Sequence, residues 1–593
     1  MATRIARATM ILVAAATLAG AHAVATTVHA ADPAKVLRVA LPDIETLDPH
    51  QYNDDPSFQV MRAIYEGLYQ WDYLASPARL APNTAVALPE IADGGRRWTI
   101  RVKPGIRFTP DPAFKGRPRE LTAEDYVYSL KRWLDPNLKR GGAPIIADLV
   151  VGARAAVDAA ARPGAKFDYD RPLEGLRALD RYTLQLRLTE PNYPIIESYL
   201  VLGAIAREVV EDAGGDVRTR PVGTGPFRLR EWKRGSRLVL EANPDYRALR
   251  FPESGDPAHA GLVRGMRGKA LPQIGVVEVS FIEEDVTRLL EFDRGRLDYV
   301  ILRGETATRL LAGDRLRPEY AARGIRREVL IEPFLFSIYF NMSDPVLGGT
   351  TNERIALRRA IALAFDAANL IKVVYAGQAQ PANQLVPPRV GGHDPSLPPR
   401  PAADPAAARA LLDRAGYSKR DAEGFRLAPD GKPLTLTLSL RTGAVSREVQ
   451  TQWKKDMDAL GLRLDFRVVP FQDIIKELDA GRFQMYSGGY GGEPSGYAEL
   501  IQLHGKQPPT VNTTRFRNAD YDAAMAEFLR SPDEPGQRRA ARRMFAIAQA
   551  YVPLLPVLFR FESYYLQPWL EGFAPPAFDN YWKYLDLGRR PPG

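Results

Sequence analysis

Cysteine is absent from all 593 residues. That excludes disulfides, thiolate metal sites and a catalytic cysteine, and it excludes a lipid-anchored cysteine behind an export signal. Histidine is scarce. Beyond the first thirty residues only His50, His259, His393 and His504 remain, far apart and without an H-E-x-x-H pair. There is no G-x-S-x-G elbow, and Gly268-Lys269 lacks both the upstream glycine and the following Ser/Thr of a phosphate loop. Carboxylates at EF-hand-like spacing are missing too. The residues therefore point to no metal, no cofactor and no catalytic group, and a hydrolase would have to be built from scattered side chains. No run approaches the ~20 uninterrupted apolar residues of a membrane span. Although the net charge is +9, the basic residues are spread arginines with no compact basic run, which speaks for a solvated surface and against nucleic acid.

What is present is the composition of a globular protein, 45% apolar and 25% charged, long enough for two or more domains. The 49 prolines and 47 glycines imply many loops but form no low-complexity tract. The N-terminus reads as an export signal: Arg4 and Arg7, the apolar stretch Met10–Gly20, then Val28-His29-Ala30 as a cleavage site. Ala21-His22-Ala23 is the second choice, so the mature chain is expected to start at Ala31 or at Val24. An exported chain with no anchoring cysteine and no staples fits a Gram-negative periplasm.

The stretch Leu434–Pro494 reads as a complete folding unit. Leu434–Leu440 alternates as a half-buried strand. Ser446 is the expected N-cap of a helix carrying Val449, Trp453, Met457 and Leu460 on one face, and Gly461 stops it. A strand (462–469), a helix (471–480) and a strand (483–490) follow, which predicts parallel pairing with right-handed crossovers. Ligands sit outside the carboxyl ends of such strands, here Tyr490-Gly491-Gly492-Glu493-Pro494. Glycines admit a ligand to the backbone, Tyr490 offers an aromatic wall and Glu493 a carboxylate.

Upstream, Val36–Leu41 is a short strand, Met61–Leu68 is helical in pattern, and Trp98–Val102 alternates as an edge strand. Thr122–Asp125 is a capping box opening a helix over 123–134. Residues 141–166 read as a loop with a short helix, and Tyr182–Leu188 as a strand. Phe227–Trp232 and Arg237–Glu241 form a hairpin.

The run GTGPF-x(4)-W…LEANPDY (Gly223–Tyr246) resembles the extracellular solute-binding protein family 5, the peptide-binding components of bacterial ABC importers. LDPHQYND (47–54), LTAEDYVYSLKRWLDP (121–136), NERIALRRAIALAFD (352–366) and GGYGGEPSGY (488–497) agree in the family's order. The resemblance spans essentially the whole mature chain. It implies an α/β, two-lobed periplasmic-binding-protein clamshell of type II-like build with an extra subdomain in lobe one. By similarity, residues 1–30 are the signal peptide, and 31–69, 179–332 and 558–593 make lobe one. Residues 70–178 make the extra subdomain, and 333–557 make lobe two. The family implies ligand capture without chemistry, delivery to an ABC permease and ATPase complex in the inner membrane, and a monomer.

Carried over by resemblance, Tyr490 packs on the ligand and Gly491 and Gly492 meet its backbone. Phe471 lines a side-chain pocket, Phe334, Phe336 and Tyr339 come from the first strand of lobe two, and Asn53 follows LDPH. One departure stands out. Peptide-binding members carry an aspartate after the aromatic–Gly turn that pairs with the peptide's α-ammonium. In this chain it is missing, and Glu493 is the residue expected to substitute. The ligand class expected first is a peptide; the alternatives are a non-peptide solute on the same fold (metal chelate, haem, oligosaccharide, opine-like), a secreted hydrolase, or a periplasmic chaperone or sensor adaptor.

Overall fold

The computed structural model describes residues 31–52, 54–138, 143–443, 446–492, 494–575, 578 and 581–590. The expected signal peptide with its two cleavage sites, Asn53, Glu493 and the capping side chain of Ser446 lie outside what is described.

β1 (Asp32–Leu41) buries Leu37, Val39 and Leu41. The expected hairpin forms as β2 (Phe227–Lys233) and β3 (Arg237–Ala242). β3 pairs antiparallel with β4 (Ile274–Phe281), and β4 pairs in parallel with β1, giving the order β1-β4-β3-β2. A second four-stranded sheet orders Glu90–Ala92, Arg97–Arg101, Thr183–Arg187 and Leu176–Asp180. The strand around Trp98 is therefore internal, not an edge: it is flanked on both sides, and Trp98 is fully buried. Alternation records one buried face, which inner and edge antiparallel strands share, so the pattern could not separate them. The helix Ala123–Leu134 begins where the capping box places it, with the Thr122 amide donating to Asp125 Oδ2 at 2.7 Å. The helix expected at 61–68 instead spans Asp55–Ile64. Asp54 starts it by accepting from the Ser57 amide at 2.6 Å, and the chain turns extended at Tyr65. Two short helices, Ala143–Leu149 and Ala153–Ala160, occupy the stretch expected to hold one.

The largest sheet takes in β5 (Tyr299–Leu302), β6 (Arg326–Phe340) and β7 (Thr435–Arg441). The unit read from sequence follows: α1 (Ser446–Leu460), β8 (Arg463–Val469), α2 (Phe471–Ala480) and β9 (Met485–Gly491). α3 (Tyr497–Ile501) and, after two longer helices, β10 (Leu554–Leu566) complete it. The order is β5-β10-β6-β9-β7-β8, with Ala379–Pro381 joined to β10.

β6 and β10 are the long members, paired from Arg326↔Leu566 to Tyr339↔Leu554, with the register breaking between Ile331 and Leu335. On one side of the break, Leu330, Tyr564 and Leu566 belong to the core built on β1–β4. That same core runs without interruption into the Trp98 sheet. On the other side, the even-numbered residues Ile338 and Phe340 join a second core with Leu436, Trp453 and Met457. The odd-numbered Leu335 and Tyr339 join a third, with Leu500 and Tyr521 on the opposite face. Two lobes thus hang on one pair of crossing strands, and the pleat of β6 divides the second lobe's interior into two layers.

Candidate functional site

The crevice in the second lobe comes from strand order. β7 pairs in parallel with β8 along its whole length but with β9 only at Leu438↔Met485 and Ser439↔Tyr486. Beyond that point β9 is bonded to β6 alone, antiparallel, down to Phe334↔Gly491. The unit therefore sits in a mixed sheet, and the two parallel strands part company at their carboxyl ends. With β7 central, the crossover through α1 leaves on one side and that through α2 returns on the other. Such a reversal leaves a gap outside the strand ends. α1 buries Val449, Trp453, Met457 and Leu460 against the second core, whereas Ile474 and Leu478 of α2 pack near Tyr486 on the other face.

Face by face, the residues named from sequence divide. Tyr490 stands opposite Leu335, on the side of Tyr339, Tyr486 and α2. Tyr490 is 40% exposed and Phe471, at the start of α2, 45% exposed. These are large exposures for aromatic rings. Phe334 and Phe336 stand opposite Gly491 and Gly489, on the other face. Phe334 lies over Gly489, whose missing side chain makes the room. Phe336 leans on the second core. Tyr339 departs from the expectation of a ligand wall: it is 4% exposed, stacks on Tyr486 at 5.7 Å, and donates to Gln502 Oε1 at 2.7 Å. Burial raises its phenol pKa, with Tyr486, Tyr490 and Glu499 adding to the effect. Gly491 and Gly492 have φ of +149° and +96°, which favour glycine. A Cβ on Gly491 would lie 2.8 Å from both Phe334 Cα and Glu499 Oε1, so the buried Glu499 carboxylate sits directly behind the turn.

Sequence reasoning missed two charged features. Arg441 ends β7 on the Tyr490 face, its guanidinium 5.9 Å from the Phe471 ring centre and without a carboxylate partner among the described residues. Its signal was parity, since it follows Ser439, the partner of Tyr486, by two residues. The second is a charged knot on the crossing strands. Glu332 accepts from Arg303 at 3.0 Å and from Arg560 at 2.7 Å, Arg303 also holds Glu562, and Arg560 lies 5.2 Å over Phe334. These residues lie up to 259 positions apart, from Arg303 to Glu562, and no local pattern joins them.

Among the described residues no group of His, Asp and Glu could hold a metal ion, and no helix is long and apolar enough to cross a membrane.

A twin-lobed mixed α/β fold with a crevice at a strand-order reversal is the build of a solute-binding protein. The model of the bacterial extracellular solute-binding proteins, family 5 Middle, matches residues 79–508, and the chain belongs to this family. It is 26% identical over 525 residues to di/tripeptide-binding protein 2 of Pseudomonas aeruginosa, covering 84% of this chain and 87% of that one. It is 25% identical over 540 residues to a probable deoxycholate-binding periplasmic protein of Escherichia coli, covering 90% and 89%. Among solved structures it is similar to the ABC transporter-associated periplasmic binding protein DppA from Helicobacter pylori in complex with the peptide STSA. That match has a TM-score of 0.66, 19% identity, and coverage of 93% and 98%. The family and these neighbours are binding proteins.

Proposed function

We propose that this protein captures a short peptide between its lobes and delivers it to an ABC permease and ATPase complex, acting as a periplasmic monomer without catalysis. One observation carries the reading: the exposed ring of Tyr490 stands beside a positive-φ glycine turn at the carboxyl end of β9, with the exposed ring of Phe471 at the start of α2, the helix packed on the same face. Rings there can pack on side chains while the glycine backbone meets the ligand's amides. Kinship with a di/tripeptide-binding protein supports the same class. In this reading lobe one is 31–69, 179–332 and 558–593, the subdomain 70–178, and lobe two 333–557. The register break after Ile331, opposite Phe559–Phe561, supports the hinge. Glu493 is proposed to meet the ligand's ammonium, Asn53 to border the ligand, and residues 1–30 to be removed on export.

Calorimetry against tripeptides, with the mixture afterwards resolved by mass spectrometry, tests this. Saturable one-to-one binding that returns the peptide intact is expected; cleavage products would make the protein a hydrolase. Binding of deoxycholate and of no peptide would favour a second reading, an apolar non-peptide solute. The exposed aromatic faces and the 25%-identical deoxycholate-binding relative give that reading its footing.

A further inference from the structure

Residues 384–394 form neither helix nor strand, yet the segment is closed on itself. Gln384 Nε2 donates to the Asp394 carbonyl and Gln384 Oε1 accepts from the Asp394 amide, both at 2.9 Å. The His393 ring donates from Nδ1 to the Val386 carbonyl, also at 2.9 Å. Leu385, Val386 and Val390 fill the inside and belong to the third core, in lobe two, with Tyr339, Tyr497 and Leu500. A loop whose ends meet and whose own side chains pack inside it moves as one piece.

Two of its residues, two positions apart, touch different bodies. Arg389 crosses the seam: its carbonyl accepts from the Ala78 amide at 3.1 Å, and Nη1 donates to the carbonyl of Pro575 at 3.3 Å. Ala78 packs on the first core, and Ala574, beside Pro575, belongs to it. Arg389 holds this reach at φ +69°, a strained value for a residue with a side chain. Its Nε is buried with no hydrogen-bond partner, and one carbonyl at 3.3 Å offsets little of the cost of withdrawing a guanidinium from water. The contact therefore depends on the lobes being held together. Gly391, by contrast, faces the ligand turn. Its amide donates to the Pro494 carbonyl at 2.8 Å, and Gly496 presses so closely on the Gly391 carbonyl that a Cβ there would collide with it. The other end of that turn is tied to β6, where the Gly492 amide donates to the Pro333 carbonyl at 2.6 Å.

We propose that residues 385–394 are a strut that positions the ligand turn from behind, with Arg389 the positioning residue at its tip. When the lobes meet, the tip is fixed against Ala78 and Pro575, and Gly391 passes that restraint to Pro494. The turn is then held at both ends, at Pro333 and at Pro494. With the lobes apart the tip is released, and the rear tie hangs on a loop that has lost its outer anchor. Closure and the shape of the turn thus become one equilibrium: a ligand that fits the turn favours closure, and closure slows its escape. What the turn holds rests on the peptide reading above; the strut itself does not.

Hydrogen exchange of the ligand-free protein, read by mass spectrometry, tests the coupling. Arg389→Asn tolerates the positive φ but is too short to reach Pro575, whereas Arg389→Lys keeps the reach. Arg389→Asn is expected to speed exchange across residues 490–497 roughly tenfold, leaving β7 and the melting temperature as in wild type. Arg389→Lys should largely restore the slow exchange. Tripeptides that wild type retains from a mixed pool should leave Arg389→Asn roughly tenfold faster at an unchanged association rate, followed by surface plasmon resonance. Unchanged exchange across 490–497 overturns the strut. So does a loosening that spreads equally to β7, which would make Arg389 an ordinary structural contact. A wild type that retains no tripeptide fails the peptide reading and leaves the exchange to decide the strut. Should Arg389→Asn not fold, Ala78→Pro removes the amide donor from the far side of the seam and is held to the same two results.

Discussion

Two tyrosines four residues apart in pairing illustrate how exposure separates roles. Tyr490 is 40% exposed at the crevice, so Tyr490→Ala should cost less than about 1 kcal/mol of stability while weakening peptide binding about tenfold. Tyr339 is buried, stacked and hydrogen-bonded, so Tyr339→Ala should cost about 3–5 kcal/mol. Urea unfolding beside calorimetry checks both, and a large stability loss at Tyr490 would move it to the core. The adjacent glycines differ in the same way. Gly491→Ala meets backbone of Pro333 and Phe334 and should cost about 2–3 kcal/mol. Gly492→Ala meets nothing within 4 Å and should cost only the left-handed strain, about 1 kcal/mol. Glu197, on the helix Tyr193–Leu200, is half-buried, and burial pushes its carboxyl up to about 7. The folded state then holds the proton more tightly than the unfolded one, so stability falls as pH rises from about 4.5 to 7. Glu197→Gln should raise the melting temperature at pH 8 and leave it unchanged at pH 4, by scanning calorimetry. An equal gain at both values would assign the effect to packing.

Elements were most legible where a chemical cap bounded a periodic run. The helix Ala123–Leu134 and the unit from β7 to β9 follow their capping box, glycine stop and alternation closely. The helix at 55–64 was misplaced because its start depends on Asp54 and Pro56, while the apolar pattern continues past its end into extended chain. There Gly67 lets the backbone pass against Val201, a contact 134 positions away that periodicity cannot express. Packing between elements also rests on single buried groups. Arg358, fully buried on the helix Asn352–Ala364, donates to the carbonyls of Leu347, Tyr551 and Val552, closing the end of the helix Glu534–Tyr551. Arg358→Met keeps the stem and strands those carbonyls, so it should cost about 2–4 kcal/mol. Denaturant unfolding with an unchanged slope would agree; no loss would show that the helix end is satisfied otherwise.

At the scale of the molecule, β6 and β10 are the frame, since each runs as one strand from one core to the other. A ligand bound between the lobes should draw them together and raise the melting temperature in proportion to the logarithm of its concentration above saturation. Small-angle scattering with and without a bound tripeptide checks this. A saturated protein of unchanged radius would argue against closure. The charged knot of Arg303, Glu332, Arg560 and Glu562 sits beside the break in register, where any rotation between the lobes would have to bend the strands.

The sequence by itself determined the local alphabet of this protein: which runs are strands, where caps and glycines end helices, and which glycine turn stands at the end of β9. It also carried the family, because that likeness rests on ordered short motifs. Only the tertiary structure decided which face each aromatic occupies. Phe334 and Tyr490 fall on opposite sides of one sheet because β6 and β9 pair in a particular antiparallel register, and a shift of one residue would exchange them. It alone decided that Tyr339 is core and that Arg389 crosses the seam. Those are contacts between residues tens to hundreds of positions apart, set by register, by strand order and by the return of the chain through β10, and no local pattern encodes them.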